Sequence, residues 1–182
     1  AGDPERGDVV VFRNPINGKD FVKRVIGLPG DKLYLKDGKL WLNNVQLVYE
    51  ELPPFEELKK LQGPMASIPR CSNAPVTIGG NCKKAQAREY LSSEKSYPIL
   101  DIREGAGDNT LEVTVPEGNY FFLGDNRDNS LDSRYPIALG GVGFVPSEYL
   151  VGKAQIVVFS SAGSSILAFW TWRLDRFLKV VK

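Results

Sequence analysis

Lys23, within Phe21-Val-Lys-Arg-Val-Ile-Gly-Leu-Pro-Gly-Asp31, is the first residue to account for, because the chain contains no histidine. Histidine is the side chain that most often moves protons near neutral pH. An acyl-transfer reaction on this chain would therefore need lysine as its base. Further along, Phe121-Phe-Leu-Gly-Asp-Asn-Arg-Asp-Asn-Ser-Leu-Asp-Ser-Arg134 packs charges, amides and hydroxyls more densely than an ordinary turn needs. The two segments together point to proteolytic chemistry of the serine/lysine kind, for which the sequence shows no evident nucleophile.

A lysine acts as a base only when its pKa, roughly 10.4 in water, falls by several units, which takes burial in apolar surroundings away from carboxylates. In a strand Phe21, Lys23 and Val25 share one face, and Val22, Arg24 and Ile26 the other. Lys23 thus stands between two apolar residues while Arg24 points elsewhere. An edge-strand lysine in water is the commoner outcome of such a pattern, and the polar segment weighs against it. There Gly124 permits close backbone approach, Asp125, Arg127, Asp128, Asp132 and Arg134 can form a local ion-pair network, and Ser130 and Ser133 supply hydroxyls. A self-satisfied turn is the plain alternative. A calcium loop fits poorly, because Arg127 falls where an oxygen ligand is needed and no glutamate closes the loop at the right distance; no metal site is expected.

The elements that must position these residues read as mainly β. With 182 residues, 42% of them hydrophobic, the chain can bury a real core. Val9 to Phe12 and Phe21 to Leu28 are strands joined through Asn14-Pro-Ile-Asn-Gly18, Pro29-Gly-Asp31 is a turn, and Asp37-Gly38 and Asn43-Asn44 have hairpin chemistry. From Glu50 to Gly107 the pattern loosens, with Pro53-Pro54, a Phe55 to Leu61 stretch of helical spacing, and polar tracts. Strands resume at Leu111 to Val115, Asn119 to Leu123 and Val151 to Phe159, with Pro116-Glu-Gly118 as a tight hairpin turn. The expected fold is an antiparallel β-meander or barrel-like core (residues 1–50 and 108–165), with an inserted β-rich subdomain (51–107) and, in the fold as a whole, short helices. An aromatic and basic C-terminal segment (166–182) suits either a membrane interface or docking into the core.

Net charge is +1, which gives no strong field toward nucleic acid. Pro75 and Gly79-Gly80 would let the chain between Cys71 and Cys82 turn back on itself. A disulfide there would fit an oxidising compartment and stabilise by roughly 3 kcal/mol; two free thiols are the alternative. No signal peptide opens the chain, and no run of about 20 apolar residues spans a bilayer. The abrupt start at Ala1-Gly-Asp-Pro-Glu5, just before a strand, suits a fragment of a longer protein.

Arg6-Gly-Asp-Val-Val-Val-Phe12, Asp20-Phe-Val-Lys-Arg-Val-Ile-Gly-Leu-Pro-Gly-Asp31, Gly124-Asp-Asn-Arg-Asp-Asn-Ser-Leu-Asp-Ser-Arg134, Gly143-Phe-Val-Pro146 and Val151-Gly-Lys153 resemble, in order, the motifs of bacterial type I signal peptidase. The resemblance covers roughly residues 6–42 and 111–159. It implies a membrane-anchored endopeptidase with its catalytic portion on the periplasmic side of the inner membrane, cleaving signal peptides from secreted preproteins without metal or organic cofactor. Lys23 would be the general base, and Ser130 would hydrogen-bond and orient its amine. Arg24, Asp125, Asp132 and Arg134 would brace the site. Asp20, Phe21 and Val22, with Val11 on the neighbouring strand, would bind the substrate as an added β-strand.

The family's nucleophilic serine belongs to a Ser-x-Met-x-Pro motif behind a membrane anchor, ahead of the Arg-Gly-Asp segment, and neither lies in this sequence. The polypeptide as given is therefore expected to be catalytically silent, with an open groove prone to self-association and Lys23 titrating close to an ordinary lysine. Two other readings stay open: a specialised conjugation- or organelle-type processing peptidase of the same chemistry, and a non-catalytic envelope domain that binds extended peptides.

Overall fold

A computed structural model describes residues 2–62, 66–158 and 177–181. In chain order the strands are β1 (Val9–Arg13), β2 (Asp20–Gly27), β3 (Lys32–Lys36), β4 (Lys39–Leu42), β5 (Val45–Gln46), β6 (Val48–Leu58) and β7 (Asn81–Tyr90). They continue with β8 (Ser96–Asp101), β9 (Val113–Thr114), β10 (Asn119–Leu123), β11 (Val145–Pro146), β12 (Leu150–Lys153), β13 (Ile156–Val157) and β14 (Lys179–Val180).

The strands pair antiparallel into a sheet of order β11-β10-β2-β1-β12, a sheet β5-β4-β3-β9, a sheet β6-β7-β8 and the pair β13-β14. The mainly β, antiparallel expectation holds, and the sheets stay open rather than closing into a barrel.

Alternation explains the central sheet. In β1, Val10 and Phe12 point inward, and in β2 the two faces feed two separate cores. Val25 joins Val10, Phe12, Tyr120, Phe122, Val142 and Val145, with Phe21 packed against them. Ile26 faces the other way, into a cluster with Leu33, Leu35, Leu40, Val115, Phe121 and Leu123. Asp37 and Gly38 (φ 51° and 73°) close β3 onto β4, and Asn43 and Asn44 (φ 50° and 68°) close β4 onto β5. Two consecutive positive φ values are what a two-residue turn matched to strand twist requires, and Asn, Asp and Gly tolerate them.

Two expectations are corrected, and the expected short helices are present. Phe55–Leu58 is not helical: it continues β6 across Pro53-Pro54, where the register against β7 shifts between Leu52 and Phe55. Two prolines cannot donate to the ladder, so the strand bulges there and resumes. Among the described residues the helical elements are short 3-10 turns at Arg127–Asn129, Ile137–Leu139 and Ser147–Tyr149, none of them in the insertion. Pro116-Glu-Gly118 does turn, with the Asn119 N–H donating to the Pro116 carbonyl (3.1 Å). The strands it joins, β9 and β10, belong to different sheets, so it is no hairpin.

The insertion is anchored rather than appended. Tyr97 and Ile99 from β8 sit in the same core as Ile26 and Leu33, with Tyr49 and Ala87 packed against them. Its outer end carries the Cys71–Cys82 disulfide. Phe159 and, from the C-terminal segment, residues 166–176 with both its tryptophans lie outside the described residues.

Candidate active site

The register places the lysine. β10 pairs with β2 only as far as Leu123 opposite Arg24. Beyond that point the chain turns away through Gly124, so the β2 edge at Asp20–Lys23 that faces β10 has no strand partner among the described residues. Beside it opens a groove of about 640 Å³, lined by Asp20, Phe21, Val22 and Lys23 on one side and Asn129, Ser130, Leu131 and Tyr135 on the other.

Lys23 is half-buried on the face of Phe21 and Val25, as alternation predicts, with its Nζ 6.0 Å from the centroid of the Phe21 ring. Burial lowers its pKa below the ordinary lysine value; the Asp132 charge opposes this, Arg134 reinforces it, and Asp125 opposes it. The direction is downward even though the open groove was expected to leave the amine nearly unperturbed, because the apolar face of β2 and the returning polar loop bury it in part.

Gly124 sets the closeness of approach. A Cβ built there would lie 2.2 Å from Ser130 Oγ and 3.6 Å from Lys23 Nζ, so hydroxyl and amine border the same space that a side chain would fill. Ser130 is buried, and its Oγ has no hydrogen-bond partner among the described residues. The hydrogen bond expected from it to Lys23 is not formed in this arrangement, although the two groups share a wall. A buried hydroxyl left unpaired costs roughly 1–3 kcal/mol.

The bracing residues form the wall behind this pair. Asp132, with no solvent exposure, accepts the Gly124 N–H (3.0 Å) at Oδ2 and the Arg134 guanidinium at both oxygens (2.9 and 3.0 Å). Ser133 Oγ accepts the Phe122 N–H (2.9 Å), tying the loop back to β10. Arg24 points away from Lys23, holds Asp125 through two hydrogen bonds (2.9 and 2.7 Å) and donates to the Gly7 carbonyl (2.7 Å). Along the open edge of β2 Asp20 and Val22 are exposed, Asp20 pairing with Arg13 (3.2 Å). Val11 lies directly opposite Val22 in β1 but does not line the groove.

Sequence reasoning missed Arg70 and Tyr135 as lining residues. Tyr135 directly follows the polar motif, a signal that could have found it. Arg70 comes from the segment beside Cys71, and nothing in the sequence connects it with the groove.

These features find matches among known proteins. The family profile described as "Signal peptidase, peptidase S26" matches residues 1–159. Signal peptidase I of Rickettsia canadensis (strain McKiel) is 39% identical over 165 residues, covering 88% of this chain and 54% of that protein. Signal peptidase I of Rickettsia typhi (strain ATCC VR-144 / Wilmington) is likewise 39% identical, over 170 residues with the same coverage. The chain spans about half the length of the curated relatives it matches. A crystal structure of a signal peptidase I from Enterococcus faecalis V583 aligns with 84% of this chain and 97% of its own, at 29% identity and a TM-score of 0.43. A family profile matched across most of the sequence, with curated relatives at this identity, means that the chain belongs to the signal peptidase family, peptidase S26.

Proposed function

We propose that this chain carries the base and the substrate edge of a serine endopeptidase that cleaves signal peptides from secreted preproteins on the periplasmic side of the inner membrane. The observation that carries the reading is a desolvated Lys23 amine beside the partnerless Ser130 hydroxyl at the end of an unpaired strand edge. An uncharged amine there takes the proton of an attacking serine hydroxyl and returns it to the leaving amine. Ser130, pinned by the fold of the 124–134 loop, orients the lysine. Asp132 and Arg134 hold that loop, and Arg24 with Asp125 holds the strand to it.

The preprotein adds as a strand along Asp20–Val22, its main chain bonding the open edge and its alternate side chains reading the groove. Val22 and Leu131, 56% and 53% exposed, give that groove apolar surface suited to small side chains. The same exposed surface supports contact with a membrane and self-association. Ser130 is the one serine among the described residues lining the groove, and it has the orienting role. The 182-residue polypeptide by itself is accordingly proposed to be silent.

The test is Lys23→Met in the full encoded protein, assayed on a signal-peptide substrate. Loss of a general base lowers turnover by about 10²–10⁴-fold, with circular dichroism unchanged. A variant that retains turnover within about tenfold of the parent, less than a base contributes, would refute the assignment.

A further inference from the structure

Glu89, in β7 of the insertion, has no solvent exposure. It accepts hydrogen bonds from the Tyr49 hydroxyl of β6 (2.6 Å), the Tyr97 hydroxyl of β8 and Arg127 Nη2 of the catalytic loop (2.8 Å). Burial pushes its carboxyl up, but the Arg127 charge and these hydrogen bonds outweigh that and hold it below the usual carboxylate range. The pair is therefore ionised throughout the neutral range. Such a pair costs several kcal/mol per ion in desolvation, and an apolar filling would commonly be as stable. Its use has to be sought in geometry.

Both halves of the site end on this carboxylate. Arg127 Nε and Nη1 have no hydrogen-bond partner among the described residues, where Glu89 is what fixes that guanidinium. The Arg127 carbonyl accepts a hydrogen bond from Arg134, which grips Asp132, which receives the Gly124 N–H beside Ser130. On the other side the Tyr97 ring carries the Arg24 guanidinium at 3.9 Å, and Arg24 follows Lys23 in β2. The backbone repeats the link: the Leu100 N–H of β8 donates to the Asp125 carbonyl (2.8 Å), and Asp128 accepts the N–H groups of Ile102 and Arg103 (2.7 and 2.9 Å).

We propose that Glu89 is a positioning residue for catalysis: by holding Tyr97 under Arg24 and Arg127 behind the Ser130 loop, it sets the separation of Lys23 from Ser130. The inserted sheet is then part of the catalytic apparatus. This rests on the assignment of Lys23 and Ser130 made above.

The test measures the titration of the Lys23 amine in the 182-residue chain by competitive acetic anhydride labelling and mass spectrometry, alongside thermal unfolding. The variants are Glu89→Gln, Tyr97→Phe, which deletes one hydroxyl and keeps the ring under Arg24, and Ile99→Ala as a control in the same sheet. Glu89→Gln raises the Lys23 midpoint by about half a unit or more as water enters the loosened site. Tyr97→Phe shifts it the same way by less. Ile99→Ala lowers Tm without moving the midpoint, which separates positioning from mere stability.

The sign is diagnostic, because simple loss of a nearby negative charge would lower the midpoint. An unchanged or lowered midpoint in both network variants, with the wild-type amine depressed, overturns the proposal and leaves the base assignment standing. A wild-type midpoint at the ordinary lysine value overturns the role of Glu89, while Lys23→Met in the full encoded protein decides the base assignment separately.

Discussion

Replacing Gly124 with alanine adds one methyl where the site has no room for it. The new Cβ would meet Ser130 Oγ at 2.2 Å and Ser130 Cβ at 2.5 Å, where ordinary contact begins near 3.4 Å. Ser130 must therefore retreat by about 1 Å. Gly124 cannot give way instead, since its N–H is fastened to the fully buried Asp132. Its φ lies outside the left-handed region, so backbone strain adds nothing and the whole effect is steric. Overpacking of this kind costs about 1–3 kcal/mol, and a domain of this size loses about 2–4 °C per kcal/mol.

If Ser130 orients the base as proposed, a displacement of that size costs about 10²-fold in turnover. KM stays near the parent value, because the edge at Asp20–Val22 is untouched. Thermal unfolding of the 182-residue chain reads the first effect, and kcat and KM of the full encoded protein on a signal-peptide substrate read the second. An unchanged Tm together with parental turnover would mean that Ser130 is not held against Gly124, and the geometry argued above would fail.

Three further outcomes follow from the same physics. Lys23→Met stabilises the fold near neutral pH: burial holds the folded-state pKa below the ordinary lysine value of 10.5, so between those limits the unfolded chain binds more protons and wild-type stability rises with pH. The gain is largest below the folded midpoint and fades toward pH 10.5, and urea melts across that range that show a constant difference would contradict it. Asp101 has its pKa raised from 3.8 to about 6, first by burial and then by its hydrogen bond with Asp128 and the charges of Asp128 and Asp108. Burial raises the Asp128 carboxyl, but its hydrogen bonds to the Arg103 and Ile102 N–H groups and to Asp101 outweigh that and lower it, so the two carboxyls titrate as a coupled pair. Asp101→Asn accordingly raises Tm above pH 6 and hardly at pH 4, and an equal effect at both would refute the pairing. Cys71→Ser with Cys82→Ser reopens a loop with a sequence separation of 11. The expected loss is up to about 3 kcal/mol, read from urea melts; an unchanged midpoint would show that the bridge adds nothing to the fold.

What could be read from the sequence was whatever the chain keeps contiguous. Val10 and Phe12 alternate inward because β-branched and aromatic residues were spaced by two. The turns at Asp37-Gly38 and Asn43-Asn44 were legible because few residues accept positive φ. Phe55, Leu58 and Leu61 were misread as helical because a spacing of three fits both a helix face and a strand whose register slips at Pro53-Pro54. The partner that decides between them, β7, lies beyond the disulfide loop and leaves no local mark. The face of Lys23 was legible from period two, whereas the depth of its burial was not, since that depends on a loop returning from the far end of the domain.

The same distinction explains why Glu89 stayed hidden while Ser130 did not. Ser130 sits in a segment whose density of charge announces a site, but Glu89 lies in a strand among Lys83, Lys84 and Arg88, where one more charge reads as a solvated face. Its burial arises only when β6, β7 and β8 assemble and the 124–134 loop closes over them, bringing Tyr49, Tyr97 and Arg127 to one carboxylate. A base that works by being desolvated needs walls that do not breathe. A strand edge that must stay open to receive a substrate cannot supply the wall on that side. The rigidity has to come from behind, and in this chain what stands behind both Arg24 and Arg127 is the inserted sheet.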